Sequence, residues 1–469
     1  MSVKNLINIK NIKKTSLPYI FIWIFYYAWV IVFTTWWTSS PDTVAVFNDQ
    51  TRAMLHLINL ASSALFIFVL KREWYVISSK VSAAFLVVSA TVFLFASNDT
   101  VQLVAAITMA LAIGCLNASI LIPFVFVLNN TEKFYSVVLS NVLVSILILI
   151  QEMSSIKVTD SIIFAGIMLL LSILPIIFFK KQDLLDSYPK NLALVPKYNK
   201  ITYLTIALNC VYAIMCKGVG KIFLQNADIQ TSLSLEPYFY FGAIAGCIVY
   251  FLIYMIYRNS NQATWNVTFS TFVAALLLYA FGSGNIIALG FFAVLLGIGS
   301  TMGMINMYYI LGVIGKKYFS IKYVRLSILL IGICGGAFSI LIAKMAENSP
   351  MTAGMTLAGF SAITMVVLLM FSPTLSQKYF NDSWATDSEK ADVNSSVDYL
   401  KKYNLSRREN EICQLLLQGN TLRQAAATLD ISYATVNTYC TTLYRKLNIN
   451  SRTELLILFR DHIVELPNQ

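Results

Sequence analysis

The sequence predicts an all-α protein in two parts: a polytopic membrane helix bundle of about twelve spans, arranged six and six, then a small cytoplasmic four-helix domain. Three observations point there. The 469-residue chain is 57% hydrophobic and only 12% charged, whereas soluble proteins carry about 25% charged residues. Apolar runs long enough to cross a hydrocarbon core of about 30 Å recur from Leu17 to Phe371. Beyond them the composition turns polar, then resolves into short amphipathic runs with helix start signals.

The spans fall near 17–37, 52–70, 81–97, 102–128, 134–151, 161–179, 201–224, 238–257, 264–281, 286–314, 324–344 and 353–372. The first is flanked by Lys10, Lys13 and Lys14 and is rich in aromatics. It lacks a short apolar core followed by a small-residue cleavage site, so it reads as a retained span. The expected domains are 1–372 for the bundle, 373–402 for a flexible linker and 403–469 for the terminal domain. The linker is rich in Ser, Asp, Asn and Lys, a composition that resists folding.

Orientation follows from the loops. About eighteen basic residues, including Lys71, Arg72, Lys133, Lys180, Lys181, Lys316, Lys317 and Arg325, lie in alternate loops on one side. The positive-inside rule makes that side cytoplasmic. An even number of spans then puts both termini in the cytoplasm, with the protein a multi-pass component of the inner (cytoplasmic) membrane.

The loop 180–200 divides the spans six and six, a layout that resembles the major facilitator superfamily of secondary transporters. The chain departs from that family's motifs. The loop between spans two and three reads "LKREWYVISSKVS", without the usual Gly–Asp–Arg–Gly pattern, and span five has no glycine. No Asp or Glu falls in the middle of a span, although proton-coupled transport generally needs a titratable group there.

Within the spans, Lys217 and Lys221 in "MCKGVGKIF" stand out. Counted from Ile201 they fall near the outer interface, where their stems would snorkel to the headgroups. The sharper reading makes Lys217, Lys221 and Gln225 a candidate pocket for a small anion. Asn117, Asn209 and Asn306 suit helix-to-helix hydrogen bonds, and Met302, Met304 and Met307 suit core packing. The seven cysteines include no CxxC pair and the chain has two histidines, so no metal or other cofactor is expected. No nucleophile–base pair or phosphate-cradling glycine loop supports an enzyme.

The terminal segment carries a start signal for each helix. Ser406–Glu409 and Thr421–Gln424 open the first two, Ser432 caps the third, and Ser451–Glu454 opens the fourth. The first ends at Gly419. Ile412, Leu415 and Leu416, then Ala425, Ala426 and Leu429, then Val436, Leu443 and Leu447 recur at helical spacing and should face inward. Helices two and three, joined by a turn containing Ile431, form a helix-turn-helix, whose third element lies in the major groove.

Residues 404–463 closely resemble the LuxR-type helix-turn-helix domain of bacterial regulators. The resemblance rests on "LSRRENEI", the Gly419 turn, "AAATLDIS", "TVNTY", "LYRKLNI" and "SRTELL". It implies double-stranded DNA as ligand and RNA polymerase as partner. It implies base-edge contacts from Asn437, Thr438 and Thr441, and phosphate contacts near Thr435, Arg445 and Lys446, while helical spacing puts Tyr433 on or beside the same exposed DNA-binding face. It also implies a homodimer through helix four (Leu455, Leu456, Phe459). Positions that are often basic in the family hold Asn437 and Thr441 here, and a frequent His is replaced by Tyr439. Fewer charges weaken the salt-dependent phosphate attraction, while Asn437 is suited to a bidentate contact with adenine.

The function expected is a membrane-integrated one-component transcription regulator, whose bundle senses a small molecule or the state of the lipid bilayer. The rival reading is a solute transporter with a DNA-binding or autoregulatory tail. A third is a constitutively anchored DNA-binding protein.

Overall fold

The computed structural model describes residues 9–39, 49–153, 162–187, 200–231, 234–256, 260–282, 285–317, a few positions between 325 and 366, and most of 403–458. Among these residues all regular structure is helical. The chain divides into two compact units, 1–385 and 386–469. The division falls inside the stretch read as a linker, 373–402, which lies outside the described residues.

The first unit runs α1 (Leu17–Ser39), α2 (Asp49–Val69), α3 (Tyr75–Phe95), α4 (Asp99–Phe126), α5 (Asn130–Met153), α6 (Ile162–Ile173), α7 (Lys181–Asp186), α8 (Lys200–Thr231), α9 (Glu236–Ile256), α10 (Ser260–Gly282) and α11 (Ile286–Lys317). Among the described residues eight of these helices are long and apolar enough to cross a membrane, and α2 and α6 contribute shorter apolar stretches. The protein is a multi-pass membrane protein. The first ten expected spans each fall on one of these helices. The expected spans at 324–344 and 353–372 lie outside the described residues, apart from isolated positions.

Inside a bilayer the backbone must satisfy itself, which is why these runs are helical. Close packing, not apolar burial, must then hold the helices together. The α9–α11 seam shows how. Gly242 and Gly246 of α9 sit against the backbone at Val294 and Ile298 of α11, and Gly297 of α11 sits against the Phe239 carbonyl. Any side chain at these glycines would meet main chain. α4 packs against α2 and α3, α11 against α8, α9 and α10, and α5 lies against α1, α9 and α11.

Polar groups tie the helix ends on the face that carries the basic loops. At the start of α5, Asn129 N–H donates to Glu132 Oε2 (2.8 Å) and Glu132 N–H to Asn129 Oδ1 (2.8 Å). Glu132 Oε1 also accepts from Lys13 N–H at 2.9 Å. Lys133, fully buried, donates to the Gly312 carbonyl (3.1 Å), and Lys316 to the Leu128 carbonyl (3.3 Å). Arg325 donates to the carbonyls of Ile67 (2.7 Å) and Leu70 (3.4 Å) at the end of α2. Tyr19 donates to Asp183 Oδ2 (2.8 Å) and Tyr75 to the Lys180 carbonyl (2.7 Å), fastening the start of the central loop to α1 and α3.

Two of the mid-span asparagines, Asn117 and Asn306, take up helix-to-helix bonds. Tyr26 O–H donates to Asn117 Oδ1 (2.8 Å) and Thr264 O–H to Asn306 Oδ1 (2.9 Å). Met302 and Met307 are core residues.

The second unit contains α12 (Arg407–Leu417), α13 (Leu422–Leu429), α14 (Tyr433–Leu447) and α15 (Arg452–Leu458). Its core is Ile412, Cys413, Leu416, Ala425, Ala426, Val436, Cys440, Leu443, Leu447 and Leu455, drawn entirely from this unit.

Candidate nucleic-acid interface

Local capping sets where each helix of the second unit begins. Glu409 N–H donates to Ser406 Oγ (3.3 Å) and Ser406 N–H returns to Glu409 Oε2 (2.6 Å). Gln424 N–H donates to Thr421 Oγ1 (3.3 Å), and Thr421 N–H to Gln424 Oε1 (2.8 Å). Glu454 N–H donates to Ser451 Oγ at 3.2 Å. Ser432 caps α14 by accepting from Thr435 N–H at 3.1 Å. These are reciprocal boxes or simple caps that satisfy otherwise orphaned donors.

The far end of α14 is closed by Asn448, in the left-handed region at φ 55°. Its N–H reaches the Arg445 carbonyl (3.2 Å), and Ile449 N–H reaches Tyr444 (3.0 Å). This stop turns the chain so that Ile449 packs on the core. Arg452, opening α15, donates to the Leu416 carbonyl at the end of α12 (3.3 Å).

Val436, Cys440, Leu443 and Leu447 form the buried stripe of α14. Packing that stripe inward leaves Tyr433, Thr435, Asn437, Thr438, Thr441, Arg445 and Lys446 exposed on the rest of the helix. Cys440 joins this stripe four residues after Val436, the spacing of one helical face. Burial pushes the Cys413 thiol up to about 12 and raises that of Cys440, as suits inert core thiols.

The threonines are turned inward at the hydroxyl. Thr438 donates to the Ala434 carbonyl (3.0 Å), Thr441 to Asn437 (2.9 Å) and Thr442 to Thr438 (3.1 Å). Such side chains present an acceptor lone pair and a methyl group outward, suited to a base amino group or a thymine methyl. Asn437 presents an exposed amide able to donate and accept.

Two expected contacts look different in place. Lys446 donates to Glu409 Oε2 at 2.6 Å, and the Glu409 side chain is only 5% exposed. The ammonium expected on phosphate is therefore already engaged in holding α14 to α12. Leu455 is fully buried in the unit's own core, so its side chain is unavailable as a dimer contact. The Leu456 side chain and Phe459 lie outside the described residues, as does Gly419.

The candidate anion pocket in the bundle is not assembled as a trio. Lys221 is paired with Glu236 (3.6 Å), donates to Tyr240 O–H (3.3 Å) and lies over the Phe239 ring (5.0 Å). Gln225 is exposed, while Lys217 is half-buried near the middle of α8 rather than at its outer end.

Residues 403–459 match the family described as bacterial regulatory proteins, luxR family. The terminal domain is thus a LuxR-type DNA-binding helix-turn-helix. A putative HTH-type transcriptional regulator in the exeN 3′ region of Aeromonas salmonicida is 38% identical over 80 residues, 17% of this chain and 41% of that protein. The chain therefore spans less than half of that relative's length. Among solved structures, the human organic anion transporter MFSD10 (TETRAN) aligns with a TM-score of 0.48 and 11% identity, over 78% of this chain and all of that one. The major facilitator transporter FucP, in its outward conformation, aligns with a TM-score of 0.49 and 15% identity, over 76% of this chain and 99% of its own.

Proposed function

We propose that this protein is a membrane-integrated one-component transcription regulator, in which the bundle controls DNA binding by the terminal domain. The observation that carries this reading is covalent. A closed LuxR-type domain with an exposed recognition face on α14 follows a multi-pass membrane unit in one chain. The bundle is the input, responding to a small molecule, and the protein catalyses no reaction. Both termini lie on the cytoplasmic side of the inner membrane, where the basic loops gather. The terminal domains pair as a homodimer on double-stranded DNA and act on RNA polymerase. A ligand biases such a switch only by its difference in affinity between two bundle states.

Chromatin immunoprecipitation of the full-length protein beside an Asn437→Ala, Arg445→Ala double variant, with transcript levels in parallel, tests this. Discrete peaks that vanish in the variant, with neighbouring transcripts changing, are expected. Absence of peaks would overturn the reading and leave solute translocation by the bundle as the activity to assay.

A further inference from the structure

Lys217 sits near the middle of α8, a helix of 32 residues. Asp228, which ends the apolar stretch Ala207–Asp228, is eleven residues on, about 16 Å along the axis. A lysine stem does not span that distance, so snorkelling does not carry this ammonium to that end of the stretch. Ionisable groups at such depth in a bundle generally serve a function.

The register of α8 against α11 shows what lies opposite. A side chain on Gly303 would come within 3.1 Å of Ala213, and one on Gly220 would meet Leu296. The two helices thus run antiparallel along this seam, with Ala213 beside Gly303 and Gly220 beside Leu296. Lys217 falls between Ala213 and Gly220 on one stripe, and Ser300 between Leu296 and Gly303 on the other. Ser300 is 3% exposed, and its hydroxyl has no hydrogen-bond partner among the described residues. Lys221, one turn on, already has Glu236 as counter-ion, whereas no described carboxylate is paired with Lys217.

We propose that Lys217 and Ser300 form a binding site for the carboxylate of a small organic anion inside the membrane bundle. The ammonium supplies a charge-assisted bond to one oxygen and the serine hydroxyl a second donor to the other. One positive charge with no carboxylate partner among the described residues suits one negative charge, so a monocarboxylate fits better than a dianion. In a low-dielectric seam the neutral amide of the same acid gains far less. The site names the ligand class for the regulator reading above and rests on its premise that the bundle is the input.

The test uses full-length protein in lipid nanodiscs, without DNA. Thermal unfolding is followed with sodium acetate, butyrate and benzoate, each against its amide and against sodium chloride at equal ionic strength. At least one carboxylate should raise the unfolding temperature saturably, with no effect from its amide. Lys217→Met should abolish the shift, Lys217→Arg should retain it, and Ser300→Ala should weaken binding by about ten- to a hundred-fold. No saturable shift with any of the three acids, an equal shift with the amides, or a shift surviving Lys217→Met would each overturn the site. Binding here with no immunoprecipitation peaks would sink the regulator reading and leave the site standing.

Discussion

Lys446 donates its ammonium to the Glu409 carboxylate at 2.6 Å, joining the last turn of α14 to the first turn of α12. Glu409 also closes the Ser406 cap, so one carboxylate fixes both the start of α12 and the lie of the recognition helix. Burial alone would raise its carboxyl, but the Lys446 bond and the Ser406 bonds outweigh this and hold it below its ordinary value. A carboxyl depressed by folding stabilises the fold above its unfolded value, about 4.3, and that stabilisation fades as pH falls through the folded value. Urea denaturation of the terminal unit, whose core closes on itself, should show stability declining below about pH 4, with the decline flattened in Glu409→Gln. At neutral pH Lys446→Ala should cost about 1–2 kcal/mol, discounted because the lysine is 35% exposed.

The same engagement separates the basic residues of α14. Arg445 is exposed and forms no ion pair with Glu409, so it should carry more of the phosphate attraction than Lys446. Fluorescence anisotropy on a selected operator should show Arg445→Ala weakening binding to all sequences and lowering the salt slope by about 1. Equal salt slopes for Arg445→Ala and Lys446→Ala would contradict this division.

Asn437 projects from the exposed face near the start of α14. Its amide pairs naturally with the N6 and N7 edge of adenine, a contact worth about 1–3 kcal/mol of discrimination. Binding-site selection should return a motif with a required A·T pair, and Asn437→Ala should relax the preference at that pair alone. A motif of G·C pairs only would count against the assignment.

What the sequence revealed about this protein depended on range. The caps at Ser406, Thr421, Ser432 and Ser451 were legible because each partner lies three residues away, within one turn. The Lys446–Glu409 pair spans 37 residues and nothing local announces it, so the family resemblance alone speaks for Lys446 and puts it on phosphate. The apolar period of α15 marks Leu455 without saying whether its neighbour is its own core or a second chain. The place of Lys217 within α8 follows the same rule: its distance from Ile201 is readable in the sequence, but how far the helix continues past it, to Thr231, is not.

The α9–α11 seam should be sensitive to a single methyl group. A Cβ on Gly242 or Gly297 would collide with main-chain carbonyls, which cannot rotate away, while one on Gly290 would meet nothing within 4 Å. Gly297→Ala and Gly242→Ala should each destabilise the solubilised bundle by about 1–3 kcal/mol, with Gly290→Ala close to neutral. Thermal unfolding in detergent compares the three. A Gly290→Ala loss as large as the other two would point to helix flexibility instead of close approach.

Arg325 supplies from far along the chain what α2 lacks at its own end. The last carbonyls of a helix have no intrahelical partners, and the guanidinium fork meets two of them, at Ile67 and Leu70, while lying over the Phe68 ring. A positive charge at a helix C-terminus is favourable for the dipole as well. Lysine would keep the charge but lose the fork geometry. Arg325→Lys should therefore fray the last turn of α2 only in part, and Arg325→Ala fully, read as faster hydrogen exchange at amides 66–70. Protection there that is unchanged in Arg325→Ala would mean that the carbonyls find other donors and that the arginine is dispensable to the fold.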